Sequence, residues 1–265
     1  MIRTLIERLA RGKVFKRKIN VAGKITPLYV SPDAQLKFLK FGCKAFDSDL
    51  VQTAERFLNE NSNVWDVGAN VGVFTFASAS VAPQGTVVAI EADIWLASIL
   101  RKSARLPSYR ESDIRVISVA VSDNDGIAKF NVARRGRASN SLEEASGRSQ
   151  AGGSREIQFV PTLKLDTLLS SMPKPDFIKI DVEGAELMVL KAATTIISEI
   201  RPVFYIEVGE EVSTEIMSLF EIYDYIAVSL DGELLKGQCE FNTFFIPMEN
   251  KKAQHDARVN TAGAP

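Results

Sequence analysis

The sequence predicts an α/β protein built on a doubly wound, mostly parallel sheet, with helices on both faces and an antiparallel last strand. Short apolar runs that suit buried strands alternate with segments that can form helices. Several of these runs end directly in an acidic residue, and one of them leads into a glycine-containing turn. The chain has 265 residues, of which 46% are hydrophobic, enough to fill the core of one large α/β domain.

The predicted elements follow one another in a regular order along the chain. Parallel strands are expected near residues 64–67, 85–91, 114–121, 177–180 and 202–208, and an antiparallel pair near 225–230 and 242–247. Helices are expected at 47–59, 73–79, 94–106, 162–171 and 187–200, the third of them capped by Asp93. This pattern predicts a main domain at 47–248, preceded by a helix and short strands in 1–46 and followed by a polar tail, 249–265, that should fray.

The composition argues against several classes of protein. The chain has 32 lysine and arginine residues and 33 aspartate and glutamate residues. It therefore lacks the overall positive charge that would indicate a nucleic-acid partner. The two cysteines, Cys43 and Cys239, lie far apart and predict neither a zinc motif nor a disulfide framework, and the expected location is the cytoplasm. No apolar run approaches the ~20 residues of a membrane span, and the amino terminus lacks the apolar stretch of a signal peptide.

Residues 2–18 are basic and amphipathic. Four apolar residues fall on one face of a predicted helix, namely Ile2, Leu5, Ile6 and Leu9. Basic residues surround this face and continue to residue 18. Two interpretations stay open. The helix either packs on the domain with a solvated basic face, or it lies on an anionic membrane surface as a peripheral contact.

The turn after the first main strand is the most informative stretch. Its pattern is D-x-G-x-N-x-G, formed by Asp66, Gly68, Asn70 and Gly72. It differs from the G-x-G-x-x-G turn that binds the pyrophosphate of dinucleotides. A pyrophosphate favours a helix N-terminus without a nearby acid, whereas Asp66 suits a ligand with cationic groups, and the bare backbone at Gly68 would let that ligand approach closely. A strand–turn–helix without a ligand is the alternative.

A second acid, Glu91, ends the next predicted strand, 25 residues after Asp66. In nucleotide-binding α/β folds an acid at this position binds the two ribose hydroxyls. Because S-adenosylmethionine (SAM) and NAD share that ribose, Glu91 alone does not distinguish them. The alternative is an exposed glutamate that begins a loop.

Four stretches together resemble the FkbM-type methyltransferase family. They are residues 64–72, 90–91, 119–123 and 177–186, and the last, with its K-I-D-V-E-G-x-E run, is the most specific. The resemblance covers about residues 45 to 247. It implies a Rossmann-like class I methyltransferase fold, SAM as the cofactor, and O-methylation of a hydroxyl on a sugar, polysaccharide or other secondary metabolite. The expected partner is therefore a small-molecule or glycan acceptor.

The resemblance also implies where the cofactor binds. It carries this role onto Asp66, Gly68, Asn70, Gly72 and Glu91, and it gives Asp181 and Glu183 an active-site position without fixing their roles. Further cofactor contacts are expected from Ala69, Ala120, Asp123 and Asp181. The adenine is expected at the end of the third strand. Asp123 could equally be only a turn residue beside Asn124, Asp125 and Gly126.

Three carboxylates, Asp181, Glu183 and Glu207, are the candidates for catalysis. A hydroxyl acceptor must lose its proton, which requires a base, and the only histidine, His255, lies in the polar tail. The ends of adjacent parallel strands would bring Asp181 and Glu207 to one rim, where they could raise each other's pKa. They could instead bind a divalent cation, or the acids could merely stabilise a helix N-terminus. No residue is assigned to a metal.

An insertion at residues 126–161 interrupts the regular pattern. Its two ends alternate well enough to pair as a hairpin, and residues 134–154 between them are rich in arginine, serine and glycine. This long loop is either a solvated surface loop or a lid whose arginines suit an anionic acceptor.

Two rival functions remain. An NAD(P)-dependent oxidoreductase is disfavoured by the glycine spacing and by Asp66. A non-catalytic SAM-binding protein is less compatible with intact motif residues, but the sequence does not exclude it.

Overall fold

The chain begins with a helix and a hairpin that pack onto the main domain. The computed structural model describes residues 2–40, 42, 46–134, 136–143 and 153–259. Its first elements are α1 (Ile2–Ala10), β1 (Phe15–Val21) and the antiparallel β2 (Lys24–Val30). Leu28 is fully buried, and the amide of Tyr29 donates a hydrogen bond to Ser103 Oγ at 2.8 Å. The hairpin is therefore part of the main core, and the helix and short strands predicted in residues 1–46 are confirmed.

An eight-stranded sheet forms the centre of the described structure. Its strands are β3 (Val64–Val67), β4 (Thr86–Ile90), β5 (Asp113–Ile117), β10 (Phe177–Ile180), β11 (Val203–Glu207), β12 (Tyr225–Ser229), β13 (Leu234–Leu235) and β14 (Asn242–Pro247). The order across the sheet is β13-β12-β14-β11-β10-β3-β4-β5. The five strands from β11 to β5 are parallel, whereas β14 runs antiparallel to both β11 and β12. The predicted sheet is thus confirmed.

Helices cover both faces of this sheet. They are α2 (Ser48–Phe57), α3 (Val73–Val81), α4 (Ile94–Ala104), α5 (Leu165–Leu168), α6 (Glu186–Lys191), α7 (Ser213–Ile222) and α8 (Lys251–Val259). One core contains the hairpin, α2, α3, α4 and α8, and the other contains α5, α6 and α7. Successive strand residues point to opposite faces, so Val64 lies in the first core and Trp65 in the second. This confirms the doubly wound α/β class.

The insertion and the short strand that precedes it form a separate four-stranded sheet. Its strands are β6 (Ala120–Val121), β7 (Gly126–Ala133), β8 (Ser141–Leu142) and β9 (Ser154–Leu163). β7 and β9 pair antiparallel, as predicted for the two ends of the insertion. The prediction of a single strand at 114–121 is wrong at its carboxyl end. β5 stops at Ile117. The following residues form β6, which pairs with β9 in the second sheet.

Two predicted helices differ from the structure. The helix expected at 162–171 begins later, because β9 continues through Leu163. The helix expected at 187–200 is divided into α6 and a π-helical turn, Ile196–Ile200. Asp166 explains the second start: its carboxylate accepts hydrogen bonds from the amides of Thr195 at 2.9 Å and Ile196 at 3.0 Å.

The carboxyl-terminal segment is ordered further than its composition indicates. The prediction that the chain frays after Met248 is wrong for α8, which packs through Ala253 and the fully buried Ala257. Asn250 Oδ1 caps this helix by accepting a hydrogen bond from the Ala253 amide at 3.0 Å. Residues 260–265, the rest of the predicted tail, lie outside the described residues.

Within the described part of the chain, no helix has both the length and the apolar character needed to cross a bilayer.

Candidate active site

The turn after β3 brings the carboxyl ends of three strands together. Gly68, Asn70 and Gly72 all have positive φ angles, of 74°, 53° and 89°. The amide of Gly68 donates a hydrogen bond to Ile90 O at 3.0 Å, which ties the turn to the end of β4. A Cβ atom at Gly68 would lie 1.8 Å from the carbonyl oxygen of Asp181, just after β10. The protein's own backbone therefore requires this glycine, and close approach of a ligand is not needed to explain it.

A cavity opens at this edge of the sheet. The open space at this site, counted together with its mouth, is about 580 Å³. Its wall contains six of the residues predicted from the sequence: Gly68, Asn70, Glu91, Ala120, Asp181 and Glu183. Five others do not line it, namely Asp66, Ala69, Gly72, Asp123 and Glu207. Asp123 lies exposed in the turn after β6, where it accepts a hydrogen bond from Asn124 Nδ2 at 2.9 Å.

Asp66 is fully buried behind the turn. It accepts a hydrogen bond from Thr75 Oγ1 of α3 at 2.5 Å, and its other oxygen lies 3.3 Å from Lys179 Nζ. Asp66 and Lys179 are opposite each other in the paired strands β3 and β10. The negative charge of Asp66 is thus paired with the protein's own Lys179.

Lys179 is a residue of the site that was not predicted from the sequence. Its ammonium lies between two carboxylates, 3.3 Å from Asp66 Oδ1 and 3.3 Å from Asp181 Oδ2, and it donates a hydrogen bond to Gly68 O at 2.9 Å. Burial alone would lower the pKa of Lys179, but the two carboxylates outweigh it and raise that pKa. The available signal was a lysine inside the apolar run of β10, where an unpaired charge is not tolerated.

Glu91 lies on the cavity wall and binds the backbone of the turn. Its Oε2 accepts a hydrogen bond from the Asn70 amide at 2.7 Å, and its Oε1 accepts one from the Asp93 amide at 2.8 Å. Burial raises the pKa of Glu91 to about 7, although these two hydrogen bonds oppose the shift. Asp93 in turn caps α4 by accepting hydrogen bonds from the amides of Trp95 and Leu96, as predicted.

The three candidate catalytic carboxylates do come together. One oxygen of each of Asp181, Glu183 and Glu207 lies within 4.8 Å of the other two, and all three side chains are half-buried. Asp181 and Glu183 line the cavity, whereas Glu207 stands beside it at the end of β11. Such a cluster could accept a proton or hold a hard divalent cation, because both need carboxylate oxygens. Glu186 instead accepts a hydrogen bond from the Gly184 amide at 2.8 Å and so stabilises the turn before α6.

Part of the insertion forms a roof over the cavity, here defined as residues 136–142. Arg137, Ala138, Asn140 and Leu142 line the cavity from this side. Asn140 is tied to the main domain, since its Nδ2 donates a hydrogen bond to Asp93 Oδ2 at 2.8 Å. The roof was expected only as part of a loop, and residues 135 and 144–152 of that loop lie outside the described residues.

Arginines anchor the roof from both sides. Arg137 forms ion pairs with Asp93 and with Asp33, and its guanidinium lies 4.8 Å from the ring centre of Trp95. Arg155 binds Asp33 through two hydrogen bonds of 2.9 Å and 3.0 Å. Arg137 and Arg155 are only 11% and 13% exposed. An anionic acceptor was one of the two alternatives for the loop arginines, but Arg137 and the adjacent Arg155 have a structural role instead.

Comparisons with known proteins identify the family of this chain. A sequence model of the methyltransferase FkbM domain matches residues 66–227, more than half of the chain. No curated protein sequence matches the chain significantly. Among solved structures, FkbM methyltransferase from Methylobacillus flagellatus KT is 19% identical with a TM-score of 0.48; the match covers 71% of this chain and 44% of that one. The chain thus spans less than half the length of that structure.

Two further solved structures were crystallised with S-adenosylmethionine (AdoMet). TYW2 from M. jannaschii is 15% identical with a TM-score of 0.43, over 88% of this chain and 84% of that one. The 16S rRNA N2 G1207 methyltransferase RsmC from T. thermophilus, in complex with AdoMet and guanosine, is 13% identical with a TM-score of 0.43, over 88% of this chain and 49% of that one. The family model covers the glycine turn, Glu91 and the acids after β10 and β11, and the chain belongs to the FkbM methyltransferase family.

Proposed function

We propose that this protein is a SAM-dependent O-methyltransferase that acts on a hydroxyl of a sugar, polysaccharide or other secondary metabolite. The observation that carries the proposal is Glu91, a buried carboxylate on the wall of a cavity at the carboxyl ends of the parallel strands. This is the position from which α/β folds bind the hydroxyls of a nucleoside ribose. The dinucleotide turn that an oxidoreductase would need is missing.

The cavity has chemistry that fits SAM. Asn70 lines the cavity, and its Oδ1 is buried and has no hydrogen-bond partner among the described residues. An unsatisfied acceptor of this kind costs free energy unless a ligand donates to it, and both the ammonium and the ribose of SAM carry donors. Glu91 keeps lone pairs beyond the two that the backbone amides occupy. The bound cofactor supplies a methyl group on a positively charged sulfur.

The rest of the chemistry belongs to this chain's own residues. They must position an acceptor oxygen, exclude water and take up the hydroxyl proton. Asp181, Glu183 and Glu207 are the groups we propose for that proton, because they adjoin the same cavity and offer oxygens within 4.8 Å of one another. Lys179 fixes Asp181 in this arrangement through their 3.3 Å ion pair.

A transfer experiment tests the proposal. Purified protein is incubated with SAM labelled in its methyl group and with extracts that contain glycans and small metabolites, and the labelled products are isolated. We expect the label in an acid-stable and base-stable methyl ether on oxygen. Label on nitrogen or carbon would overturn the O-methylation proposal, and binding of SAM without any transfer would favour a non-catalytic role.

A further inference from the structure

The amino-terminal segment exposes apolar side chains to water. Ile6 and Leu9 of α1 are 39% and 67% exposed, and Phe15 at the start of β1 is 36% exposed. Residues three apart on a helix share a face, so Ile6 and Leu9 lie side by side. Ala10 is buried, which holds the end of α1 against the domain. The helix therefore presents an apolar face outward while its carboxyl end is fixed.

The same segment concentrates positive charge. Residues 6–18 contain six basic side chains and one acidic one, a net charge of +5, whereas the whole chain carries −1. The remaining residues thus carry −6. Five of the six basic residues are exposed: Arg8, Arg11, Lys13, Lys16 and Lys18. This separation of charge gives the molecule one basic side next to its exposed apolar side chains.

We propose that residues 6–18 bind the molecule peripherally to an anionic lipid bilayer. The boundary between headgroups and acyl chains accepts scattered apolar side chains without a complementary groove, and the phosphate layer attracts lysine and arginine. A protein partner would instead require a shaped surface. Mixed apolar and basic exposure over one short segment fits the bilayer best.

Residues 6–18 are connected to the roof of the cavity through Asp33 and the backbone of Arg134. The side chain of Arg11 donates a hydrogen bond to Arg134 O at 3.5 Å, and the amide of Gly12 donates one to Asp33 Oδ2 at 3.5 Å. Asp33 is the residue that anchors Arg137 and Arg155. Binding to a membrane therefore brings the cavity roof close to the lipid surface.

Flotation of the full-length protein with vesicles tests the proposal independently of any enzymatic activity. We expect the protein to float with vesicles that contain phosphatidylcholine and phosphatidylserine, and not with phosphatidylcholine alone. Added salt should release it, because exposed charges are screened. Failure to float with the anionic vesicles at low salt would overturn the proposal, as would equal flotation with both vesicle types.

Matched variants locate the contact. Leu9→Glu should weaken vesicle binding about tenfold or more, since it removes an inserted apolar side chain and adds repulsion. Ile222→Glu, at an equally exposed isoleucine on α7, should bind like the wild type.

A charge-reversal pair checks the electrostatic part. Lys13→Glu/Lys16→Glu should abolish flotation, whereas Lys251→Glu/Lys252→Glu, the same charge change at exposed positions on α8, should not. Circular dichroism confirms that each variant is folded. The proposal is wrong if the two members of either pair behave alike.

Discussion

The ammonium group of Lys179 lies 3.3 Å from the carboxylate of Asp66, and both side chains are almost completely buried. Lys179 also reaches Asp181 at the cavity wall. A single cation thus joins the glycine turn after β3 to the acidic end of β10. The pairing explains why an acid at the start of the turn and a lysine inside an apolar strand occur in one sequence.

Removal of this cation should destabilise the fold strongly. Lys179→Met leaves Asp66 buried without its ion pair, and we expect a loss of about 3–5 kcal/mol in the free energy of unfolding. Urea denaturation measures it. Lys129→Met is the control, because Lys129 is half exposed and its ion pair with Glu143 should contribute at most about 1 kcal/mol. Similar losses in both variants would contradict the role assigned to Lys179.

The raised pKa of Glu91 predicts how stability depends on pH. Unfolded Glu91 ionises near 4.5 and folded Glu91 near 7, so its contribution is fully present below about pH 4.5 and is lost as pH rises to about 7. The loss amounts to about 3 kcal/mol. Urea denaturation of ligand-free protein across this range should show the decline, and Glu91→Gln should flatten it. The side-chain amide in Glu91→Gln offers only one oxygen and cannot replace both oxygens of Glu91 that accept backbone hydrogen bonds, so the variant is also less stable at every pH. The comparison therefore uses only the slope of stability against pH. An unchanged slope in the variant would contradict the prediction.

The carboxylate cluster should affect turnover more than cofactor binding. As a general base, Asp181 or Glu207 should contribute about 10²–10⁴-fold to the rate, so Asp181→Asn and Glu207→Gln should lower kcat while SAM affinity changes only a few-fold. Full activity in both variants would remove the cluster from the mechanism. Activity that is lost with EDTA and restored by Mg²⁺ would instead indicate that the carboxylates hold a cation.

The roof should influence cofactor affinity as well as the acceptor. Arg137→Ala removes the ion pairs to Asp33 and Asp93 and should weaken SAM binding about tenfold, measured by calorimetry. Arg134→Ala is the control, because Arg134 is exposed and precedes the roof. If both variants bind SAM like the wild type, the roof does not help to hold the cofactor.

The sequence predicted the parts of the site that depend on local pattern. Gly68, Asn70 and Glu91 lie next to strands whose apolar runs are easily recognised, and parallel strands bring such ends to one edge. The sequence could not predict that Asp66 points away from the cavity. The same spacing fits an acid that binds a ligand and an acid that is buried in the protein. The residue that decides between these two roles is Lys179, which lies 113 residues later in the chain.

The anchoring of the roof and the last helix were missed for a different reason. Arg137 is anchored by Asp33, more than a hundred residues earlier, and nothing near either residue indicates the other. The helix α8 contains mainly polar residues and packs through the small side chains of Ala253 and Ala257, which give little apolar periodicity. Long-range ion pairs and alanine packing leave almost no local trace in the sequence.

Isothermal titration calorimetry tests whether the cavity beside Glu91 binds SAM. Wild-type protein should bind SAM, Glu91→Ala should bind it more weakly by about 1.5–3 kcal/mol, and Glu199→Ala, at an exposed glutamate on the other side of the fold, should bind it normally. Absence of SAM binding in the wild type, or equal affinity in Glu91→Ala and Glu199→Ala, would contradict the account.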